Sequence, residues 1–205
     1  YLATGLAGFQ ALDVTTPGSP VVQSDWPLAI RACDVAIADS LACVAAGENG
    51  LRLYNIANPA APTWIGWSTN ALNARCVALA GQTALVGDGQ YGLKVFNVGT
   101  PATPALLGSW SGPDLASVRR VGLSGAYGVA CDGRTVGVFD LSAPAHPTLV
   151  ATHPTPAFAF DMAVAGSRIY LACGSAGLMV FEMGPNSLAQ VGSYDSSGLA
   201  AGVSV

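Results

Sequence analysis

The residue types that most often carry catalysis or metal binding are sparse in this chain and follow no catalytic spacing. No Cys-x-x-Cys pair or Cys/His ligand spacing exists, although a structural zinc site needs several such ligands close together. The two histidines, His146 and His153, lie in and just after a proline-rich loop, and no Gly-x-Ser-x-Gly element supplies a serine nucleophile. We therefore predict that the protein is not an enzyme and carries neither a metal ion nor another cofactor.

The cysteines and two aspartates in turns have structural interpretations instead. Cysteines without a partner behave as small apolar side chains, so we expect all five in the core. Asp88 and Asp132 stand in glycine-rich turns, where aspartate bonds to its own backbone, and one carboxylate per turn is too few for calcium. The cysteines are Cys33, Cys43, Cys76, Cys131 and Cys173.

A proline pair that recurs along the chain indicates the elements that position these residues. The first prolines of four successive pairs lie 42, 42 and 43 residues apart, and a fifth unit keeps Pro185 but has Leu188 where a second proline is expected. A period of this length is typical of repeat proteins, whose units share one continuous core. We predict a single domain over 1–205, with units near 1–42, 43–84, 85–127, 128–169 and 170–205. The pairs are Pro17 and Pro20, Pro59 and Pro62, Pro101 and Pro104, and Pro144 and Pro147.

Each unit contains four short apolar segments. Two of them are joined by a Gly-rich turn, as in 43–56 and 85–98, which is a hairpin signature. A third segment follows the prolines, and a fourth precedes the next hairpin. Four strands per unit of about 42 residues match one propeller blade, and no unit shows a sustained helical pattern. The predicted fold is all-β, a β-propeller of four-stranded antiparallel blades with five repeats visible.

The two ends of the chain leave the size of the ring open. The chain opens in a strand-like run at Tyr1 without a methionine, which favours a segment of a longer protein. Its last residues, 203–205, resemble the first strand of a blade. This segment is expected either to pair beside the opening strand and close a five-bladed ring, or to belong to a ring of six to eight blades.

Composition excludes two classes of partner and favours a third. The net charge is −4 and the eight basic residues are spread along the chain, which argues against nucleic-acid binding. No run of about 18 apolar residues exists, so no transmembrane helix is expected. Only 10% of the residues are charged, against roughly a quarter in ordinary soluble proteins. Either a large core leaves a small surface decorated by Ser, Thr and Asn, or other protein subunits cover part of the surface.

Arginine and aromatic residues concentrate in the connections that enter the predicted first strand of each blade. In a propeller these connections gather on one face around the central channel, and both residue types are typical of binding hot spots. Since Arg119 and Arg120 are adjacent on a β-like segment, we expect at most one of them to face the channel. The predicted partner face comprises Arg31, Arg75, Arg119, Arg120, Trp26, Phe158 and Phe160, with Asp34 and Asp161 nearby. The remaining tryptophans, Trp64, Trp67 and Trp110, are expected to fill the outer part of the blades.

Three segments resemble the LVIVD repeat, which reads Gly-Leu-x-Val-x-Asp-Val-Ser-x-Pro after a Tyr-Val-Ala-Asp-Gly strand. They are residues 50–59, 92–101 and 136–144. The chain departs from the pattern at Leu188 and at Thr135, which replaces the second glycine of the fourth turn. The resemblance implies a β-propeller of bacterial or archaeal cell-surface and secreted proteins, mostly without assigned activity and with no catalytic residues to carry over.

Two functional hypotheses follow. The first is a non-enzymatic, extracytoplasmic propeller that binds or scaffolds other proteins in a larger assembly. The second is a propeller that binds a carbohydrate or another small ligand, such as a degenerate hydrolase or lyase domain. A scaffold predicts a contiguous apolar or aromatic face, whereas a ligand site predicts polar groups that converge at the channel mouth.

Overall fold

The computed structural model describes residues 1–26 and 30–205, and within them the strands form five antiparallel sheets. The sheets follow one another in chain order, and each is a meander of sequential strands, as the repeat predicts. The only helical element in these residues is a single 3-10 turn, Pro113–Leu115. The all-β prediction is therefore confirmed. Residues 27–29, part of the first connection between sheets, lie outside the described residues.

The strand bounds recur with the period of the sequence. The first sheet contains β1 (Leu2–Ala3), β2 (Phe9–Asp13) and β3 (Val21–Trp26). The second contains β4 (Asp34–Ala38), β5 (Leu41–Ala45), β6 (Leu51–Asn55) and β7 (Thr63–Ser68). The third contains β8 (Cys76–Ala80), β9 (Thr83–Gly87), β10 (Leu93–Asn97) and β11 (Ala105–Trp110). The fourth contains β12 (Arg120–Ser124), β13 (Tyr127–Cys131), β14 (Thr135–Asp140) and β15 (Thr148–Pro154). The fifth contains β16 (Asp161–Ala165), β17 (Arg168–Ala172), β18 (Leu178–Gly184) and β19 (Ser187–Tyr194).

We call β4, β8, β12 and β16 the inner strands and β3, β7, β11, β15 and β19 the outer strands. The first sheet has three strands and no inner strand in the described residues. The predicted strand at 203–205 is not formed, and these residues pair with no strand within 1–26 and 30–205. Instead, the Val203 N–H donates to the Asp161 carboxylate at 3.1 Å, just as the Val77 N–H donates to Asp34 at 3.0 Å. The end of the chain therefore lies against the fifth sheet where an inner strand would begin, and it does not pair with β1.

The core consists of four buried clusters, each shared by two consecutive sheets. Burying apolar side chains in this way is worth about 1.5–3 kcal/mol for each large one. One aromatic position on the third strand of the last four sheets supplies a residue to each cluster: Tyr54, Phe96, Phe139 and Phe181. Within the described part of the chain, no cluster joins the fifth sheet to the first. Each sheet is thus stabilised by its immediate neighbours.

The proline loops lie at the seams between sheets. The Ser24 hydroxyl of the first sheet donates to the Pro59 carbonyl of the second. A Cβ atom placed on Gly66 would lie 2.2 Å from the Pro101 carbonyl oxygen of the third sheet. A Cβ on Gly108 would lie 2.3 Å from the Pro144 carbonyl of the fourth sheet. The first proline of a pair therefore exposes its carbonyl to the outer strand of the preceding sheet, which must present a small residue there.

The short turn of the fifth unit accounts for its missing second proline. In the second sheet seven residues connect Asn55 to Thr63, whereas β18 and β19 are joined by the two-residue turn Pro185 and Asn186. A tight hairpin of this length has no place for a second proline, because the following residue already pairs in the ladder as Gly184 with Ser187.

Candidate functional site

Loops from neighbouring sheets are fastened together at one end of the sheets. Each inner strand begins at this end, and the hairpin turn between the next two strands returns to it. Paired backbone hydrogen bonds of 2.9–3.1 Å link the turn of one sheet to the connection that enters the next, as between Gly47 and Ala74. The same pair of bonds recurs between Gly5 and Ala32 and between Gly174 and Ala200, and at the third turn the Val118 N–H donates to the Gly89 carbonyl at 3.0 Å. The backbone at this end is therefore fixed by the repeat, whatever side chains it carries.

Glycine is needed where these turns close. Gly92 has φ +80°, a conformation that side chains with a Cβ rarely adopt, and a Cβ there would lie 2.0 Å from the Trp110 carbonyl oxygen. At Gly89, the absence of a side chain leaves room for two others. A Cβ at that position would lie 2.5 Å from the Asn73 amide nitrogen and 3.1 Å from Nε of Arg75. The turn thus holds the Arg75 guanidinium at this end of the sheets.

A cavity of about 760 Å³ opens at this end, among the turns of the first three sheets and the connections into the second, third and fourth. All four predicted arginines line it: Arg31, Arg75, Arg119 and Arg120. The prediction that at most one of the last two faces the channel is wrong. Arg119 belongs to the connection rather than to β12, so the strict alternation of a strand does not apply to it. We refer to this cavity as the channel mouth.

The channel mouth concentrates positive charge in an acidic protein. Four of the eight basic residues of the chain line it, against a single acidic side chain, Glu48. Among residues 1–26 and 30–205, Arg31, Arg75 and Arg119 have no carboxylate within 4.0 Å, whereas Arg120 does. Guanidinium groups remain protonated at every physiological pH. Three permanent and unneutralised cations therefore face the cavity and its rim.

One backbone position, just before each inner strand, determines much of the chemistry of the mouth. Its N–H donates at 2.8 Å to the carbonyl that ends the second strand of the same sheet. The position is occupied by Cys33, Arg75, Arg119 and Phe160 in the second to fifth sheets. The second sheet thus contributes a thiol, the next two contribute cations and the fifth contributes an aromatic ring.

The two phenylalanines predicted for this face form an aromatic pair beside the cations. The Phe158 and Phe160 rings pack edge to face with centroids 5.1 Å apart, and they are 38% and 43% exposed. The Arg119 guanidinium carbon lies 5.6 Å from the Phe158 ring centroid, within the range of a cation–π interaction. The structure therefore brings four of the seven predicted residues into the cavity lining, and Phe158 and Phe160 extend that face from Arg119 towards the fifth sheet.

Arg120 has a different environment from the other three arginines. Its Nε donates to Asp161 at 2.8 Å, which joins the inner strands of the fourth and fifth sheets. Asp34 has the equivalent position in the second sheet and accepts the backbone N–H groups of Val35 and Val77. Burial raises the pKa of the Asp34 carboxyl, and these hydrogen bonds oppose the increase. The acidic groups near the channel thus stabilise contacts between sheets and are already occupied.

The tryptophans lie elsewhere. Trp26 does not line the cavity, and its ring stacks on Phe9 at 5.6 Å between centroids, inside the first cluster of the core. Trp110 packs on Phe139 as expected for a residue within the blades. The expectation for the other two is wrong, since Trp64 and Trp67 on β7 are 57% and 48% exposed.

The cysteines follow the core prediction with one exception. All five are free thiols, and four are buried. Burial raises the pKa of Cys43 and Cys131 to about 12 and that of Cys173 to about 11, so these thiols stay protonated and unreactive. Cys33 is the exception, because it is half-buried and lines the channel mouth. No group of three or more His, Cys, Asp or Glu residues in the described part of the chain could hold a metal ion.

The two turn aspartates bind backbone. Asp132 accepts the N–H groups of Arg134 and Thr135 at 2.8 Å, the predicted role in its own turn. Asp88 departs from this prediction, because it is fully buried and its Oδ1 accepts the N–H of Asn73 in the preceding connection at 2.6 Å. Desolvation raises the pKa of Asp88, whose Oδ2 has no hydrogen-bond partner among the described residues and lies 3.9 Å from the Lys94 ammonium.

Sequence reasoning missed the contribution of the hairpin turns to the mouth. Glu48 and Asn49 from one turn and Gln90 and Tyr91 from the next line the cavity together with Cys33. The signal was present, because antiparallel order returns the second strand of each blade to the end where its first strand began. Any turn between the second and third strands must therefore lie beside the arginine connections.

Comparison with known proteins identifies the repeat. The LVIVD repeat model matches residues 31–68 and 117–155, which extend from the mouth connections to the outer strands of the second and fourth sheets. The resemblance to that repeat is thereby confirmed, together with the propeller framing. No protein with a curated description matches the sequence significantly. None of the helices in the described residues is long and apolar enough to cross a membrane.

Solved structures with the same fold are distant in sequence. A functionally unknown protein from Desulfotomaculum acetoxidans DSM 771 is 16% identical with a TM-score of 0.73, over 93% of this chain and 65% of that one. The WD40 repeats of RRP9 are 11% identical with a TM-score of 0.69, over 84% and 56%. The computationally designed Ika8 protein is 13% identical with a TM-score of 0.67, over 85% and 54%. The chain thus spans between about half and two thirds of the length of these structures, and at such identities the likeness concerns the fold alone.

Proposed function

Because the chain contains LVIVD repeats folded into the sheets of a propeller, we propose that it is a non-enzymatic binding module that docks a partner protein on its channel mouth. One observation carries the proposal. Half of the basic residues of an acidic chain lie around a single cavity, and three of them have no carboxylate partner in the described part of the chain. Unpaired cations gathered by three separate connections are expected where a complementary charge arrives from outside.

The chemistry of the lining supports binding rather than catalysis. Arginine neither takes up nor releases a proton near neutral pH, so it does not serve as a general acid or base. The carboxylates closest to the inner strands, Asp34 and Asp161, accept hydrogen bonds from the protein itself. The lining offers a set of strong hydrogen-bond donors, and the exposed ring pair of Phe158 and Phe160 lies beside it.

We also propose that the module works outside the cytoplasm as part of a larger assembly. The LVIVD resemblance implies cell-surface and secreted proteins, and the low charge fits a surface that partners cover. Fractionation of the producing cells, with protease added to intact cells, tests this location. Protection of the protein from the added protease together with recovery in the cytoplasmic fraction would contradict it.

The docking proposal is tested by affinity capture with matched variants. Wild-type protein and the triple variant Arg31→Ala/Arg75→Ala/Arg119→Ala are immobilised and exposed to the secreted and envelope proteins of the producing organism. We expect a partner that wild type retains and the triple variant loses. The partner is then purified, and binding to both proteins is measured by calorimetry, where the triple variant is expected to bind at least about a hundredfold more weakly.

The control is the variant Arg134→Ala/Arg168→Ala, in which both changed residues are exposed and neither lines the cavity. It is expected to retain the partner like wild type. If the control loses the partner as fully as the triple variant, general charge rather than the channel mouth governs capture. If the triple variant binds the purified partner as well as wild type does, docking on this face is excluded.

A second candidate function is a site for a small ligand within the cavity. The convergence of polar groups favours it, since arginine, asparagine and glutamine side chains line the mouth. Calorimetric titration with mono- and disaccharides and with small carboxylic acids tests this alternative. Binding that the triple variant abolishes, in the absence of any protein partner, would favour it.

A further inference from the structure

We propose that the group recognised at the channel mouth is a short, extended acidic segment of polypeptide, with at least two carboxylates and an apolar side chain at one end. This inference rests on the proposed docking function and specifies the chemistry of the partner. Its three parts are the sign of the charge, the spacing of the charges and the apolar end.

The sign follows from the unpaired cations. Arg31, Arg75 and Arg119 are exposed towards the cavity without a carboxylate within 4.0 Å in the described chain. A guanidinium presents a planar fork of donors that matches a carboxylate in two parallel hydrogen bonds. A protein with a net charge of −4 repels a long polyanion at a distance, so a nucleic acid is disfavoured, whereas a short acidic segment feels mainly the local cations.

The spacing follows from the repeat. Arg75 and Arg119 occupy the same backbone position in consecutive sheets. The inner strands that follow these arginines, β8 and β12, approach within 8 Å between Cα atoms, and an extended chain rises about 3.3 Å per residue. Two acidic residues separated by one or two others therefore match the distance between these arginines.

The apolar end follows from the fifth sheet. There the equivalent position holds Phe160, which packs on Phe158 beside the Arg119 guanidinium. A segment that runs from Arg75 past Arg119 reaches this pair next. Exposed aromatic rings adjacent to cations provide a seat for an apolar side chain that follows the acidic residues.

The probe for the experiment is a fluorescein-labelled octapeptide with glutamate at three alternating positions and a phenylalanine near one end. Its control replaces each glutamate with glutamine. Anisotropy titrations measure the affinity of both peptides for wild type, for Arg75→Ala/Arg119→Ala and for the surface control Arg134→Ala/Arg168→Ala. We expect the acidic peptide to bind wild type and the surface control equally, and the cavity variant to bind at least about tenfold more weakly.

A second readout locates the peptide without relying on affinity. Cys33 is the half-buried thiol of the cavity, whereas the other four thiols are buried. Bound peptide is expected to slow the alkylation of Cys33 by iodoacetamide, as measured by mass spectrometry, in wild type but not in the cavity variant. The variant Arg75→Lys/Arg119→Lys, which retains the charges without the fork, is expected to bind with intermediate affinity and confirms that the altered protein is folded.

Each alternative outcome overturns a different part of the inference. Equal binding of the glutamine peptide would remove the acidic requirement. Protection of Cys33 by inorganic phosphate or citrate at the same concentration as the peptide would replace the polypeptide with a small anion. If no peptide binds while the purified partner still depends on the arginines, the docking function stands and the acidic-segment inference fails.

Discussion

Four equivalent residues around the channel mouth, Cys33, Arg75, Arg119 and Phe160, show how a repeat builds a site. Their backbones make the same hydrogen bond, yet their side chains are a thiol, two guanidinium groups and a phenyl ring. The shared bond fixes where each side chain leaves the backbone, so the chemistry at each point is free to vary. Within the mouth, therefore, function depends on the identity of single residues and not on the fold that supports them.

Arg119 and Arg120 are adjacent but are expected to respond differently to substitution. Arg120→Ala removes the 2.8 Å bond to Asp161 between two sheets, so we expect the free energy of unfolding to fall by about 1 kcal/mol, with exposure of the pair limiting the loss. Arg119→Ala removes an exposed side chain over a phenyl ring and should change stability by less than about 0.5 kcal/mol. Urea denaturation of the two variants measures both values.

The same pair separates stability from binding. Arg119→Ala is expected to weaken partner and peptide binding, although it leaves the unfolding midpoint near that of wild type. Arg120→Ala is expected to shift the midpoint more than it weakens binding. The reverse assignment would mean that Arg119 fastens the sheets together and that Arg120 is the ligand group.

At this scale the sequence predicted the arginine cluster but not the division of roles inside it. The repeat places all four arginines in equivalent connections, which is enough to bring them to one end. The partner of Arg120 is 41 residues away, and whether its carboxylate is reached depends on the packing of two sheets. For the same reason the sequence wrongly placed Trp26 on the partner face, since only the packing shows that its ring stacks on Phe9.

The proline loop is the element that the sequence repeat marks most clearly, and it acts by contacting a neighbouring sheet. The carbonyl of Pro59, Pro101 or Pro144 meets the outer strand of the preceding sheet, where Ser24, Gly66 or Gly108 leaves space for it. Proline fixes the local backbone and so helps to hold that carbonyl in place. The small residue on one strand and the proline on another thus form one contact at each seam.

Gly66→Ala is the direct test of this contact. The added methyl group would lie 2.2 Å from the Pro101 carbonyl oxygen, so the second and third sheets must separate locally. We expect a loss of about 1–3 kcal/mol in the free energy of unfolding, measured by urea denaturation. Gly66 does not have a positive φ, so backbone strain does not add to the effect.

Gly18→Ala is the matched control. Gly18 lies in the first proline loop, has no atom within 4 Å of an added Cβ and does not have a positive φ. Its substitution is expected to change stability by less than about 0.5 kcal/mol. If both substitutions lowered the free energy of unfolding by similar amounts, the loss would come from replacing any glycine and not from the contact at the seam.

The sequence predicted the strands and turns more completely than it predicted which strands pair with each other. Apolar alternation and glycine turns gave every sheet, but the segment 203–205 matched the inner-strand pattern and formed no strand. A strand needs a neighbour to satisfy its backbone, and sequence pattern does not report whether one is present. The outer strands also each contain one unpaired extra residue, such as Ile65 opposite the step from Leu53 to Tyr54, which alternation over so few residues conceals.

The whole molecule is a row of five sheets joined by four apolar seams. The second to fourth sheets are therefore stabilised most by packing, because each of them has two neighbouring sheets in the described chain. The first and fifth each have one. In repeat proteins of this kind stability is approximately a sum of unit terms and nearest-neighbour terms.

Phe9→Ala is expected to open the first sheet without disturbing the fifth. Phe9 is fully buried and packs on Tyr54 at 5.0 Å between ring centroids, so its loss should weaken the first seam by about 3–5 kcal/mol. Hydrogen exchange followed by mass spectrometry should show faster exchange in residues 1–26 and unchanged protection in 161–194. Faster exchange in both ends at once would indicate that the sheets unfold as a single unit and would contradict the nearest-neighbour description.

The uniform seams have a consequence for how such a gene can change. At each seam a small residue on an outer strand faces the proline carbonyl of the next sheet, and these small residues can replace one another. A recombination that removes or duplicates one unit of about 42 codons therefore brings together two surfaces that still fit. The channel mouth is altered by the same event when it changes one of the first three units, because each of these contributes residues to the lining. Lineages of this protein are therefore expected to differ by whole units, and each gain or loss rewrites the order of thiol, cation and ring around the opening.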